Sequence, residues 1–157
     1  MNRSSKASFL QLEILWWLIT FLIGAAILLP IYIKVIGYPF YLINIVFIVT
    51  FITLTRYIFF LPFTFLGKQQ TLKIILFFLS LPLVFYLIQS LNQFQLFLDE
   101  EGPQALINNL EGQTLLDMTT YIRSEIILFG VGSVISAILF PFRLLKSVWR
   151  FRNRGTV

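Results

Sequence analysis

The residues of this sequence that could do chemistry are a few charges beside long apolar stretches: Glu13, Arg56, Glu125 and Arg143. A carboxylate in such a place can exchange a proton or hold a cation, and an arginine can neutralise it. Glu125 is the acidic residue best placed to enter the membrane from outside. No carboxylate lies deeper inside any apolar stretch to take up a proton or cation from it. We therefore expect Glu125 to be an interfacial, structural residue.

The sequence contains no cysteine and no histidine, and its only methionines are Met1 and Met118. Disulfides, thiolate metal sites, histidine-ligated haem or zinc, and serine–histidine catalysis are therefore excluded. The acidic triplet at 99–101 lacks the alternating spacing of a calcium loop. We predict no catalytic residue, no cofactor and no metal ligand in this chain.

The charges at the ends of the first, second and fourth apolar stretches are expected to avoid isolation. An unpaired charge within the hydrocarbon costs about 2.5–3.5 kcal/mol on insertion scales. An antiparallel path brings Glu13 and Arg56 to similar depth, so we predict an ion pair between them, with Arg143 as a competing partner. The alternative is that each side chain reaches separately towards lipid headgroups.

Four apolar stretches organise the chain. Hydrophobic residues make up 58% and charged residues 12% of the sequence, whereas soluble domains carry about 25% charged residues. An α-helix needs about 20 apolar residues to span a bilayer. We predict an all-α integral membrane protein, one domain over 1–157, with short interfacial helices at the C-terminus and in an outer loop at about 92–124. The predicted transmembrane helices lie at about 14–33, 40–61, 74–91 and 126–145.

The distribution of lysine and arginine predicts the orientation. With the N-terminus inside, ten of the 12 basic residues lie on the cytoplasmic side and only Lys34 and Arg123 lie outside. Five acidic residues fall in the outer loop at about 92–124, which agrees with this orientation. We predict a multi-pass protein of the cytoplasmic (inner or plasma) membrane with both termini in the cytoplasm.

Small residues concentrate in the fourth stretch, where Gly130, Gly132 and Ser136 are candidates for close helix packing. Gly132 and Ser136 form a small-xxx-small pair, which allows another helix to approach closely. The partner could belong to another protein, or it could be the first stretch, where residues 24–26 are also small. We favour packing within the chain.

Basic residues follow the fourth stretch and predict contact with lipid headgroups: Lys146, Arg150, Arg152 and Arg154. A basic interfacial helix gains about 1 kcal/mol per cation near an anionic membrane surface. Docking of an acidic protein partner is the alternative. A nucleic-acid partner is not expected, because most of the chain would lie in hydrocarbon.

Three function classes remain. The first is a non-catalytic accessory, structural or assembly subunit that packs against other subunits of a larger membrane complex. The second is a small homo-oligomeric transporter or channel, for which a lipid or another apolar substrate would fit the lack of charged groups at mid-depth. The third is a membrane enzyme using Glu13, Glu125 or the acids of the outer loop. We rank them in that order.

Overall fold

The computed structural model describes residues 3–107 and 109–153, and within them all regular secondary structure is helical. The helices are α1 (Arg3–Lys34), α2 (Tyr41–Phe60), α3 (Gln70–Glu100) and α4 (Gly112–Arg152). Short 3₁₀ turns occupy Leu61–Phe63, Phe65–Lys68 and Pro103–Leu106. Each of the four helices contains a segment long and apolar enough to cross a membrane. The prediction of an all-α chain with four such helices is confirmed.

The four helices alternate in direction, and α4 packs against both α2 and α3, while α1 packs mainly against α2. Many of the fully buried apolar side chains come from α2, α3 and α4, among them Phe47, Leu87, Phe94, Ile126 and Leu144, and α1 contributes Ile31. The alternation divides the charges between two ends. We call the end where α2 and α4 finish the basic end, and the end where α3 finishes and α4 begins the acidic end.

The turn from α2 to α3 at the basic end is fixed by a threonine and a glycine. The Thr64 hydroxyl donates to the Leu61 carbonyl at 2.8 Å and accepts from the Gly67 N–H at 3.3 Å. A Cβ at position 67 would overlap the Leu61 carbonyl oxygen. Only glycine fits there, so the entry of α3 is defined by local sequence.

At the acidic end, Asn109 fastens the end of α1. Its amide nitrogen donates to the Lys34 carbonyl at 2.8 Å, and its amide oxygen accepts from the Ile36 N–H at 3.1 Å. The Tyr121 hydroxyl donates to the Ile27 carbonyl at 2.8 Å, a second contact between α1 and a distant part of the chain. The Lys34 carbonyl, at the end of α1, accepts no N–H from within the helix and needs such a donor.

The structure differs from the prediction of separate short helices beside the fourth span. The segment expected to form an interfacial C-terminal helix is the continuation of α4, which runs unbroken from Gly112 to Arg152. Pro141 lies inside this helix without ending it. Of the predicted outer loop at about 92–124, the first part is the end of α3, the described residues between the helices contain the 3₁₀ turn Pro103–Leu106, and the part from Gly112 onwards is the beginning of α4. No residue at either end of the fourth apolar stretch ends the helix, so the segments before and after it continue α4.

Candidate functional site

The charges at the basic end form the predicted pair. The Arg56 guanidinium lies 2.7 Å from the Glu13 carboxylate, and the two side chains are only 5% and 13% exposed. The other oxygen of Glu13 accepts the Phe65 N–H at 3.0 Å. The rings of Trp16 and Tyr57 each lie 5.3 Å from the guanidinium carbon. The pair joins α1, α2 and the 3₁₀ turn and neutralises a buried charge.

Arg143 does not compete for Glu13. Its Nε donates to the Ile58 carbonyl at 2.7 Å. In a continuous helix that carbonyl would accept the N–H of residue 62, but residue 62 is Pro62 and has no N–H. Arg143 of α4 therefore supplies the donor that Pro62, just after α2, cannot supply.

Lys73 is the residue at this end that the sequence interpretation did not single out. It is 1% exposed, and its ammonium donates to the Gly67 carbonyl at 2.7 Å, the Ser147 hydroxyl at 3.0 Å and the Gln70 amide at 3.3 Å. A signal was available in the sequence, because the buried residues 73, 80, 87 and 94 of α3 recur every seven positions. That spacing places Lys73 on the buried face of the helix.

Glu125 lies inside the bundle near the acidic end and is 6% exposed. The Asn44 amide nitrogen donates to one oxygen of its carboxylate at 2.6 Å. The second carboxylate oxygen, the amide oxygen of Asn44 and the Tyr38 hydroxyl are buried and have no hydrogen-bond partner within the described part of the chain. Burial, followed by the charge of Glu125, raises the pKa of Tyr38, so this phenol stays a neutral donor. Arg123, two residues before Glu125, is exposed, as their different helix faces predict.

The small residues of α4 pack within the chain, against α2 and α3. A Cβ at Gly130 would lie 2.9 Å from the side chain of Leu91, and one at Gly132 would lie 2.8 Å from the ring of Phe51. The Ser136 hydroxyl shares a 3.1 Å hydrogen bond with the hydroxyl of Thr55. The first helix, considered as the partner from the sequence, is not the one these residues contact.

The basic residues at the end of α4 are exposed where the structure describes them: Lys146, Arg150 and Arg152. Arg154, the fourth predicted headgroup contact, lies outside the described residues. Among residues 3–107 and 109–153, no group of three or more acidic side chains is arranged to hold a metal ion.

Comparison with known proteins supplies no relative: no family, no characterised protein and no solved structure matches this chain. The chemistry of the chain's own residues is therefore the guide to its function.

Proposed function

We propose that this chain is a non-catalytic subunit or assembly factor of a larger membrane complex, oriented with its basic end towards the cytoplasm. The observation that carries the proposal is the surface of α1. From Leu10 onwards, one face of this helix packs on the chain and the opposite face is left uncovered.

The packed face of α1 carries Trp16, Thr20, Gly24 and Ile31, and Gly24 lies 3.7 Å (measured from an added Cβ) from Ile48 of α2. The opposite face is apolar and exposed, with a small residue at its centre: Leu18 is 53% exposed, Leu22 57% and Leu29 55%, and Ala25 is also exposed. A helix that is apolar all round can contact lipid or another protein's helix. A small residue at the centre favours close approach of a second helix.

The interior of the bundle supports the same proposal. The large side chains Phe47, Leu87 and Ile126 are fully buried between α2, α3 and α4. Several hydroxyl groups of the helices bond inside the chain, such as Ser133 to the Gly130 carbonyl at 2.7 Å. Because large apolar side chains fill this interior, we infer that transport would require an assembly of several copies.

Photo-cross-linking from α1 tests the proposal directly. A photoreactive amino acid at position 25 should attach to a different polypeptide in native membranes. The same residue at position 131, an exposed apolar site on α4, serves as the control for chance contacts. Mild extraction of the unmodified chain should recover that polypeptide in fixed ratio.

Three results would contradict the proposal. Adducts to lipid alone at position 25 would mean that lipid covers this face. Equal protein adducts at positions 25 and 131 would mean that the contact is not specific to α1. Adducts between copies of this chain, together with flux in liposomes containing the purified chain, would favour the homo-oligomeric transporter instead.

A further inference from the structure

A polar cleft of about 450 Å³ opens at the basic end between the α2–α3 turn and the end of α4. Four of the residues that line it are basic: Lys68, Lys73, Arg143 and Arg150. They come from three different elements, so the folded chain and not a local run of sequence gathers them. Among the described residues, no acidic side chain lines this cleft.

The charge of the cleft has little opposition from acidic side chains of the same chain. Six of the seven acidic residues lie between positions 99 and 125, at or beside the acidic end. The seventh, Glu13, is already engaged by the Arg56 guanidinium and the Phe65 N–H. Because no acidic side chain of the described residues lines the cleft, an anionic ligand would add counter-charge there.

Two of the cations are held in place before any ligand arrives. Lys73 is anchored by three acceptors from the turn, α3 and α4. Arg143 is anchored through its Nε on the Ile58 carbonyl, and within the described residues its terminal nitrogens make no further hydrogen bond. The three N–H donors of Lys73 are used by its own acceptors, so Lys73 adds charge to the cleft, and the planar guanidinium of Arg143 is the group suited to donate to phosphate oxygens.

A second, apolar groove of about 210 Å³ adjoins the cleft between α3 and α4. Lys73 lines both spaces. The other residues of the groove are all apolar, among them Ile74, Phe78 and Leu145. A ligand that fills both spaces needs an anionic group, such as a phosphate, at one end and a hydrocarbon chain at the other.

We propose that these two adjoining spaces form a binding site for one anionic phospholipid, with its phosphate in the basic cleft and an acyl chain in the groove between α3 and α4. The site differs from a diffuse basic surface because only some of the cations of α4 line it. Arg150 lines the cleft, whereas Arg152, two residues later and also exposed, does not. The proposal does not depend on the role as a subunit.

Native mass spectrometry of the purified full chain, titrated with phosphatidic acid, tests the site. Phosphatidylcholine with the same acyl chains serves as the neutral comparison and should bind more weakly. The Arg150→Gln variant should weaken binding of the first phosphatidic acid about fivefold, the effect of one cation near a lipid surface. The matched variant Arg152→Gln should change it by less than about twofold.

The hydrocarbon end is tested by Leu145→Trp, which fills the groove, against Leu139→Trp, which enlarges an equally exposed residue of α4 outside it. Only Leu145→Trp should weaken phosphatidic acid binding. Thermal unfolding of each variant in detergent, measured beforehand, should match that of the native chain.

Each contrary result overturns the site. Equal losses for Arg150→Gln and Arg152→Gln would mean diffuse attraction to the whole basic end. A loss for Arg150→Gln without one for Leu145→Trp, with displacement of the lipid by millimolar inorganic phosphate, would mean that the cleft takes a soluble phosphate. Equal binding of both lipids would exclude selection by charge. Because the purified chain is used alone, these results are independent of any co-purifying partner.

Discussion

Removal of the Glu13 carboxylate should destabilise the chain more than any exposed charge does. The change Glu13→Gln keeps the shape of the side chain but leaves the guanidinium of Arg56 buried without a counter-charge. Breaking a buried ion pair from one side costs about 3–5 kcal/mol. The rings of Trp16 and Tyr57 continue to face the cation, so we expect the lower end, about 3 kcal/mol.

The coupling between the two residues separates an ion pair from two independent contributions. The variant Arg56→Met should cost a similar amount, because the carboxylate of Glu13 then keeps only the Phe65 N–H. The double variant should lose no more than either single one, since no charge is left unpaired. Reversible unfolding in mixed micelles gives the free energies, and Arg123→Met, an exposed charge, should change them by less than about 0.5 kcal/mol. Additive losses in the double variant would refute the reasoning.

Further predictions concern packing and polar contacts. Gly132→Ala should lower the free energy of unfolding by about 1–3 kcal/mol, because its Cβ would lie 2.8 Å from an aromatic ring of α2. Gly24→Ala, whose Cβ would lie at an ordinary contact distance, should leave it unchanged or raise it by up to about 1 kcal/mol. The same unfolding assay compares the two variants. Lys73→Met should cost about 1–3 kcal/mol by leaving buried acceptors unpaired, and an unchanged unfolding midpoint would contradict that. Arg143→Gln should destabilise the native chain by about 1 kcal/mol. The loss should be smaller in a Pro62→Ala background, where residue 62 has an N–H that can bond to the Ile58 carbonyl. Equal losses in both backgrounds would show that Arg143 does not stand in for that missing N–H.

The sequence was sufficient to predict the helical class and the four apolar segments. The length and hydropathy of a segment follow directly from its residues, and together they determine whether a helix can cross a bilayer. The sequence also indicated Glu13 and Arg56 as opposite charges at matching depth, but Arg143 and separate contacts with headgroups stayed open as alternatives. The structure shows the pair, with the guanidinium and carboxylate 2.7 Å apart.

The sequence did not determine which helices are neighbours. Hydropathy is nearly uniform around these helices, so it could not show that the small residues of α4 face α2 and α3 rather than α1. Shape decides this instead: Gly132 accommodates the ring of Phe51, and Gly130 accommodates the side chain of Leu91. Such complementarity appears only once the helices are placed together.

Burial of the polar residues was equally difficult to foresee. The sequence indicated that Glu125 stands at the outer end of the fourth stretch, but not that its side chain is buried in the bundle, where Asn44 on a helix distant in sequence supplies its donor. Lys73 counted only as one of many basic residues, yet its three acceptors come from three parts of the chain. The continuation of α4 to Arg152 was missed because the change from apolar to basic residues alters the surroundings of a helix without ending it.

The polar ties of α1 have a mechanical consequence. Glu13 fastens the helix at the basic end, and the Ile27 and Lys34 carbonyls fasten it near the acidic end. None of these ties uses a side chain of the face that carries Ala25. A helix that docks beside Ala25 would therefore break none of them, and α1 would keep its place on the bundle while it gains a partner.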